Sequence, residues 1–256
     1  MAYAEALLAV IAAPTVAAKA DLLAALVPEP GIWDMPVLPD LPGRPADLRV
    51  VTDPPRRRRG LADPRARARF LHAIWHIEVS AIDLAVLICL RAAGAPAALH
   101  EDFLRIAREE AFHAGLVADL LVAEGFPPGS DPVHHRLWEA ARACTDLGEQ
   151  LVVIPRFLEA RGLDVSAELL PRLEGIHAPS HAVINRIYQD EIGHVGTGTR
   201  WHRWWCAAQG LDPVAHFTDV VRRHFPGQVP SPFALDRAGR GTAGFVEAEL
   251  AVLAGG

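Results

Sequence analysis

Glu78 is followed 32 residues later by Glu110, with His113 three positions beyond, and Glu159 is followed 32 residues later by Glu191, with His194 three beyond. Each copy is one glutamate and then Glu-x-x-His, and each offers two carboxylates and one imidazole. Residues three apart on an α-helix share a face, so Glu110 with His113, and Glu191 with His194, can grip one ion together. Six ligands of this kind suit a pair of metal ions. Mixed oxygen and nitrogen donors favour iron or manganese over calcium, and the lack of thiolates speaks against a structural zinc site.

The surroundings of these acids sharpen the inference. Leu71, Ile74, Trp75 and Ile82 fall on the helical stripe of Glu78, and Phe103, Ile106, Ala107 and Val117 on that of Glu110. Gly148 and Val152 share the stripe of Glu159, as Ile184 and Ile187 share that of Glu191. Each glutamate thus interrupts an apolar face, where charge is costly unless compensated. A bare carboxylate in a low-dielectric interior costs several kcal/mol, and four together also repel one another. Two divalent cations balance four carboxylates and leave the imidazoles as neutral ligands.

Four long helices must carry these residues, with periodic patterns over 64–93, 96–124, 132–161 and 179–208. Gly94, Gly125, Gly162 and Gly210 stand near the four expected ends as helix stops. Each helix would have about 28 residues and a length of roughly 42 Å. Ala-rich helices are expected at 4–13 and 15–26, a Pro-, Asp- and Arg-dense arm from 28 to 64, an amphipathic stretch at 213–224, and a short helix at 243–253. Without strand-like alternation, the fold is expected to be all-α: a four-helix bundle with N-terminal helices, a Pro-rich arm and a C-terminal helical tail. The corresponding parts are 1–63, 64–210 and 211–256.

The chain has 256 residues, 51% hydrophobic and 22% charged, enough for one large core. A net charge of −6 argues against a general nucleic-acid or membrane-surface binder. Cys89, Cys144 and Cys206 are odd in number and far apart, so no disulfide framework is indicated and a reducing cytoplasm is the simplest home. The apolar N-terminus lacks a preceding Lys or Arg and is interrupted by Glu5, which reads as an amphipathic helix rather than a secretory signal. The apolar run at 84–90 is well short of the ~20 residues of a spanning helix, so no membrane partner is expected.

The stretches WHIE (75–78), EEAFH (109–113), FLEARG (157–162) and DEIGH (190–194) resemble the ferritin-like di-iron carboxylate superfamily. In that superfamily two helices give a Glu each and two others give Glu-x-x-His. HAIWHIEVSAIDL, IPRFLEARGLD and DEIGHVGTGTRW look closer still to a bacterial ferritin-like family whose function is unassigned, with similarity over roughly 60–250 and no departure at the six ligands. The resemblance implies a ferritin-like bundle and oxidative chemistry such as hydroxylation, with dioxygen as co-substrate.

Several other residues carry two readings. Pro155, inside the third helix, should kink it and, with Gly148 and Val152, either opens a small pocket or is a tolerated bend. Tyr188 either serves the metal centre or is a core tyrosine with a bonded hydroxyl. Asp190 and Glu109 are acceptors for a ligand imidazole or solvated surface acids, and Trp75 lies on the Glu78 stripe. Glu149 rivals Glu159 but lies about 15 Å along the helix from it. His72 and His76 have a spacing that can bind metal, yet they fall off the Glu78 stripe; His177 is about 21 Å from Glu191. Trp201, Trp204 and Trp205 pack the bundle end or serve electron entry. The basic run Arg56, Arg57, Arg58 and Arg59 is a solvated arm, a contact with the acidic bundle, or a phosphate site.

The expected function is a di-iron, or iron/manganese, oxidoreductase of monooxygenase type. It would act on a small-molecule or nucleotide-like substrate with an external electron donor, as a monomer or homodimer. Against it stand a ferritin- or rubrerythrin-like iron-handling or peroxide-defence protein, a transfer-RNA-modifying hydroxylase, and a bundle in which metal only staples the helices. The length outside the bundle disfavours a storage cage, and the lack of Cys-x-x-Cys disfavours a rubrerythrin.

Overall fold

Eleven α-helices and one π-helix occur among the described residues of the computed structural model, which are 2–29, 31–52, 60–227 and 233–255. The basic run from Arg56 to Arg59 lies outside them. The protein is all-α as expected; the one β-type contact among the described residues is an isolated parallel bridge between Val50 and Val133. The chain divides into two compact units, Met1–Arg142 and Ala143–Gly256, so each copy of the Glu/Glu-x-x-His pattern belongs to a single unit.

In the first unit, α1 (Ala2–Ala12) and α2 (Val16–Ala25) precede α3 (Pro64–Arg91) and α4 (Ala97–Ala123), which pack along each other, and α5 (Arg136–Arg142) follows. Asp63 caps α3 by accepting from the Arg65 N–H, with Pro64 in the first turn. Gly94, at φ 74°, turns the chain between α3 and α4. It lies 16 residues from both Glu78 and Glu110, so an antiparallel hairpin pivoting there sets the two acids opposite each other.

The arm after α2 is extended and tacked down at intervals. Gly43 N–H donates to Ile11 O at 2.8 Å, Gly94 N–H to Gly31 O at 2.8 Å, Trp33 Nε1 to Leu90 O at 2.9 Å, and Trp138 Nε1 to Asp40 O at 3.1 Å. Its main anchor is electrostatic. Lys19 Nζ, fully buried, donates to Asp83 Oδ1 at 2.7 Å and to the carbonyls of Val10 and Ile11, while Arg44 donates to Asp83 Oδ2 at 2.7 Å. Helix α3 has the length and apolarity of a membrane span, but 83% of its apolar window is buried within the protein, as in a core helix.

The second unit holds α6 (Leu147–Leu151), the π-helix (Val152–Glu159), α7 (Ala160–Glu174), α8 (Ala178–Gln209), α9 (Pro213–His224), α10 (Arg237–Thr242) and α11 (Glu247–Leu253). Here the third long helix departs from expectation. It does not run from 132 to 161: α5 stops at Arg142, and a new helix starts where Asp146 accepts from the Glu149 N–H. From there α6, the π-helix and α7 run on without a break to Glu174, and Gly162 is an interior residue instead of a stop. Burial of Leu163, Leu169 and Leu173 holds those turns in place, enough to absorb the roughly 1 kcal/mol that an interior glycine costs. The bend expected at Pro155 takes the form of the π-helix itself. The helix expected at 243–253 is shorter: α10 ends at Thr242, Gly244 at φ 89° turns the chain, and α11 starts only at Glu247.

The Asp83 anchor yields a direct test. Asp83→Ala leaves the Lys19 ammonium buried without its counter-ion and should cost about 3–5 kcal/mol. Chemical denaturation should show this loss, and the double change Lys19→Met with Asp83→Leu should recover most of it. Equal stability of Asp83→Ala and the native protein would refute the anchor.

Candidate metal centre

In the first unit, Glu78 of α3 and Glu110 and His113 of α4 are all buried. His113 Nδ1 lies 3.3 Å from Glu78 Oε2 and 3.6 Å from Glu110 Oε2. Burial alone would lower the imidazole pKa, but the bonds and charges of Glu110 and Glu78 carry it up to about 11. One donor atom from each of the three residues lies within 4.8 Å of the others, a spacing that one cation bound at about 2.0–2.2 Å from each ligand can span.

The second unit repeats this less completely. Glu191 and His194 are buried on α8, with His194 Nδ1 3.7 Å from Glu191 Oε2. Glu159, the last residue of the π-helix, is half-buried. Gly175 closes α7 16 residues from both Glu159 and Glu191, matching the part Gly94 plays in the first hairpin. The donor set of carboxylate oxygens and imidazole nitrogens fits iron or manganese.

The other residues weighed from sequence take structural places. Tyr188 donates to Asp236 Oδ2 at 2.7 Å, and burial together with that carboxylate pushes its pKa up to about 12. Asp190 accepts from Arg186 Nε at 2.6 Å on an exposed helix flank, and Glu109 likewise from Arg105. Glu149 is buried and accepts from Thr145 N at 2.6 Å, Thr145 Oγ1 at 3.0 Å and Arg223 Nη1 at 2.5 Å. Burial would raise its pKa, but these donors bring it down to about 2. His72 and His76 accept backbone N–H bonds through Nε2, from Gly129 at 3.0 Å and His134 at 3.4 Å, so they hold the loop after α4. Trp75 is buried with its ring 5.2 Å from that of His72. His177 caps α8 by accepting from Ser180 N–H.

The pocket envisaged at Gly148, Val152 and Pro155 is filled by side chains. A Cβ on Gly148 would lie 2.4 Å from the Trp205 ring, and one on Gly198 would lie 2.3 Å from Pro155 Cγ. Val152 is fully buried. Two residues escaped the sequence reading. Arg156, fully buried, pairs with Glu249 at 2.7 Å and stacks on Phe217 and Phe245; its signal was an arginine inside the apolar run VVIPRFL. Gly198, one turn beyond His194, admits Pro155, and GTGT was the sign of a close approach.

Gly198→Ala drives a methyl into Pro155, the ring that shapes the Glu159-bearing π-helix. After the gain in helix propensity, a net loss of about 1–2 kcal/mol is expected in denaturant unfolding. A stabilised variant would show that the contact is loose.

A family model described as "Protein of unknown function (DUF455)" matches residues 9–251. An uncharacterized protein of Haemophilus influenzae is 33% identical over 206 residues, covering 75% of this chain and 69% of that protein. No solved structure matches. With the match running through both hairpins and both sets of candidate ligands, the chain belongs to the DUF455 family of proteins of unknown function.

Proposed function

We propose that Glu78, Glu110, His113, Glu159, Glu191 and His194 hold two iron ions, with manganese as the substitute at either position, in a ferritin-like centre. In this reading the protein is an oxidoreductase that uses dioxygen to hydroxylate or otherwise oxidise an organic substrate. The observation that carries it is the pairing of interior acids with imidazoles: Glu78 and Glu110 face His113, and Glu191 faces His194. An imidazole beside a carboxylate is a ligand pair once its proton leaves, and metal uptake drives that exchange.

Each hairpin would supply two carboxylates and one imidazole, which balances the charge of one divalent ion. Iron bound there supplies the activation of dioxygen. The chain's own task is to hold the ligands and keep bulk water from them. The helical interiors around Glu78 and Glu110, lined by Leu71, Ile82, Phe103 and Ile106, serve that exclusion. Glu159, half-buried where the other five are buried, would be the ligand with the most room to move. Insertion of one oxygen atom into a substrate requires two electrons from outside, hence an external donor. A metal that only staples the hairpins is the second reading, favoured by the filling of the Pro155 region with packed side chains.

Protein purified in air should contain close to two iron or manganese ions per chain, and Glu110→Ala and Glu191→Ala should each lose at least about half of that metal. Full metal content in both variants overturns the ligand assignment. Reduced, iron-loaded protein should consume dioxygen in a stopped-flow or electrode assay; failure to consume it, with metal content normal, selects the structural reading.

A further inference from the structure

A second polar cluster lies in the second unit, away from the proposed ligands. Arg156 Nη1 stands 2.8 Å from His202 Nδ1, His202 Nε2 stands 2.9 Å from His216 Nδ1, and Cys206 Sγ lies 3.4 Å from that Nε2. The protons here can be placed by elimination. A guanidinium only donates, so His202 Nδ1 accepts from Arg156. A neutral imidazole then carries its proton on Nε2, and Nε2–H donates to His216 Nδ1. Arg156 is itself held by Glu249 at 2.7 Å, and His202 and Arg156 are fully buried, so the ring has no room to exchange roles.

His202, Cys206 and His216 also have the spacing of a metal site. The tautomer opposes that use. A histidine ligand normally donates its second ring nitrogen to an acceptor, whereas His202 meets a guanidinium donor there, and its Nε2 already bears a proton.

We propose that the His202–His216 hydrogen bond is an acid-sensitive latch that holds α9 over the π-helix. The contact joins α8 to α9, and α9 covers the π-helix through Phe217 under Arg156 and through Phe225, which follows α9 and stacks on Phe157 at 3.8 Å. A proton on His216 Nδ1 would face the Nε2–H of His202, two donors 2.9 Å apart, and His202 cannot turn away without giving up Arg156.

The groups facing His216 are His202, Trp205 and Cys206 of α8, Asp146 and Glu149 at the start of α6, and Asp219 and Arg223 of its own helix. Burial is the largest influence and lowers its pKa; Asp146, Asp219 and Glu149 pull upward and Arg223 downward, leaving it below the ordinary value. His202 is pushed down to about 2 by burial, Arg156 and His216, so it stays neutral. The sign follows: the unlatched state takes up a proton at the ordinary histidine pKa of about 6.5, before the latched state does. The latch is therefore intact above that pH and weakens as pH falls below it.

Hydrogen exchange of the whole protein at about pH 7.5 and about pH 5.5, corrected for intrinsic exchange, tests this. Amides of α9 should lose about tenfold in protection on acidification. His216→Asn, whose amide oxygen can accept from His202 and does not titrate, should keep its protection, while His216→Phe should lack it at both values. Equal pH response of the native protein and His216→Asn overturns the latch, as does an unresponsive native α9. Nitrogen-15 spectra of the native protein give a check independent of any variant: His202 must carry its proton on Nε2, and an Nδ1–H tautomer overturns the proposal. So does a thiolate-to-metal absorption band on adding cobalt(II) that persists in Cys144→Ala and is lost in Cys206→Ala, because an ion on that thiolate would need an unprotonated His202 Nε2.

Discussion

Charge in the interior must be matched, and this constraint organises both units. Asp83 is answered by Lys19 and Arg44, Asp164 by Arg240, Glu249 by Arg156, and Glu149 by Arg223. Most of these pairs tie distant parts of the chain together: α2 and the arm to α3, and the C-terminal helices to the π-helix and α7. A guanidinium or ammonium partner does not give up its proton near neutral pH, so such a pair is inert. Glu78, five residues from Asp83 on the same helix, is matched differently. It and Glu110 face His113, and Glu191 faces His194. An imidazole can surrender its proton and stay as a ligand, so these pairs are chemically open to a cation.

The 32-residue interval is a statement about hairpins. In an antiparallel pair of helices, residues equidistant from the turn lie at the same level, and both copies have a glycine at the midpoint: Gly94 between Glu78 and Glu110, Gly175 between Glu159 and Glu191. Equal arm lengths, set by where the turn falls, bring the glutamate of one helix to the level of the Glu-x-x-His on the next. The same interval in two places therefore reflects one construction used twice.

That symmetry was legible in the sequence, and so were the all-α class and helices α3, α4 and α8, because long apolar stripes with capped ends leave few alternatives. The third long helix was misplaced for an identifiable reason. Gly162 was weighed as a stop, although the first hairpin turns on a glycine 16 residues after its glutamate, which points to Gly175. Local propensity lost to the burial of Leu163, Leu169 and Leu173. The break before α6 was signalled by Asp146, a side chain suited to an N-cap in a pattern that otherwise reads as continuous. Partners of Tyr188 and Arg156 were beyond reach, since Asp236 and Glu249 are 48 and 93 residues away from them and no periodicity links such positions.

The π-helix brings these threads together. Val152 through Phe157 are all buried, one of them the cation Arg156, so the segment needs cover on every side and a counter-charge on one. Helix α8 covers one side, where Gly198 leaves room for Pro155. The other falls to the C-terminal helices, through Phe217, Phe245 and Glu249 around Arg156. Proline supplies no N–H at position 155, which weakens the α-helical ladder at the point where the wider turn appears. The tail is thus a structural requirement of the segment that ends in Glu159: without Glu249 and the two phenylalanines, Arg156 would be a buried cation without compensation, and the turn presenting Glu159 would have no reason to hold its place.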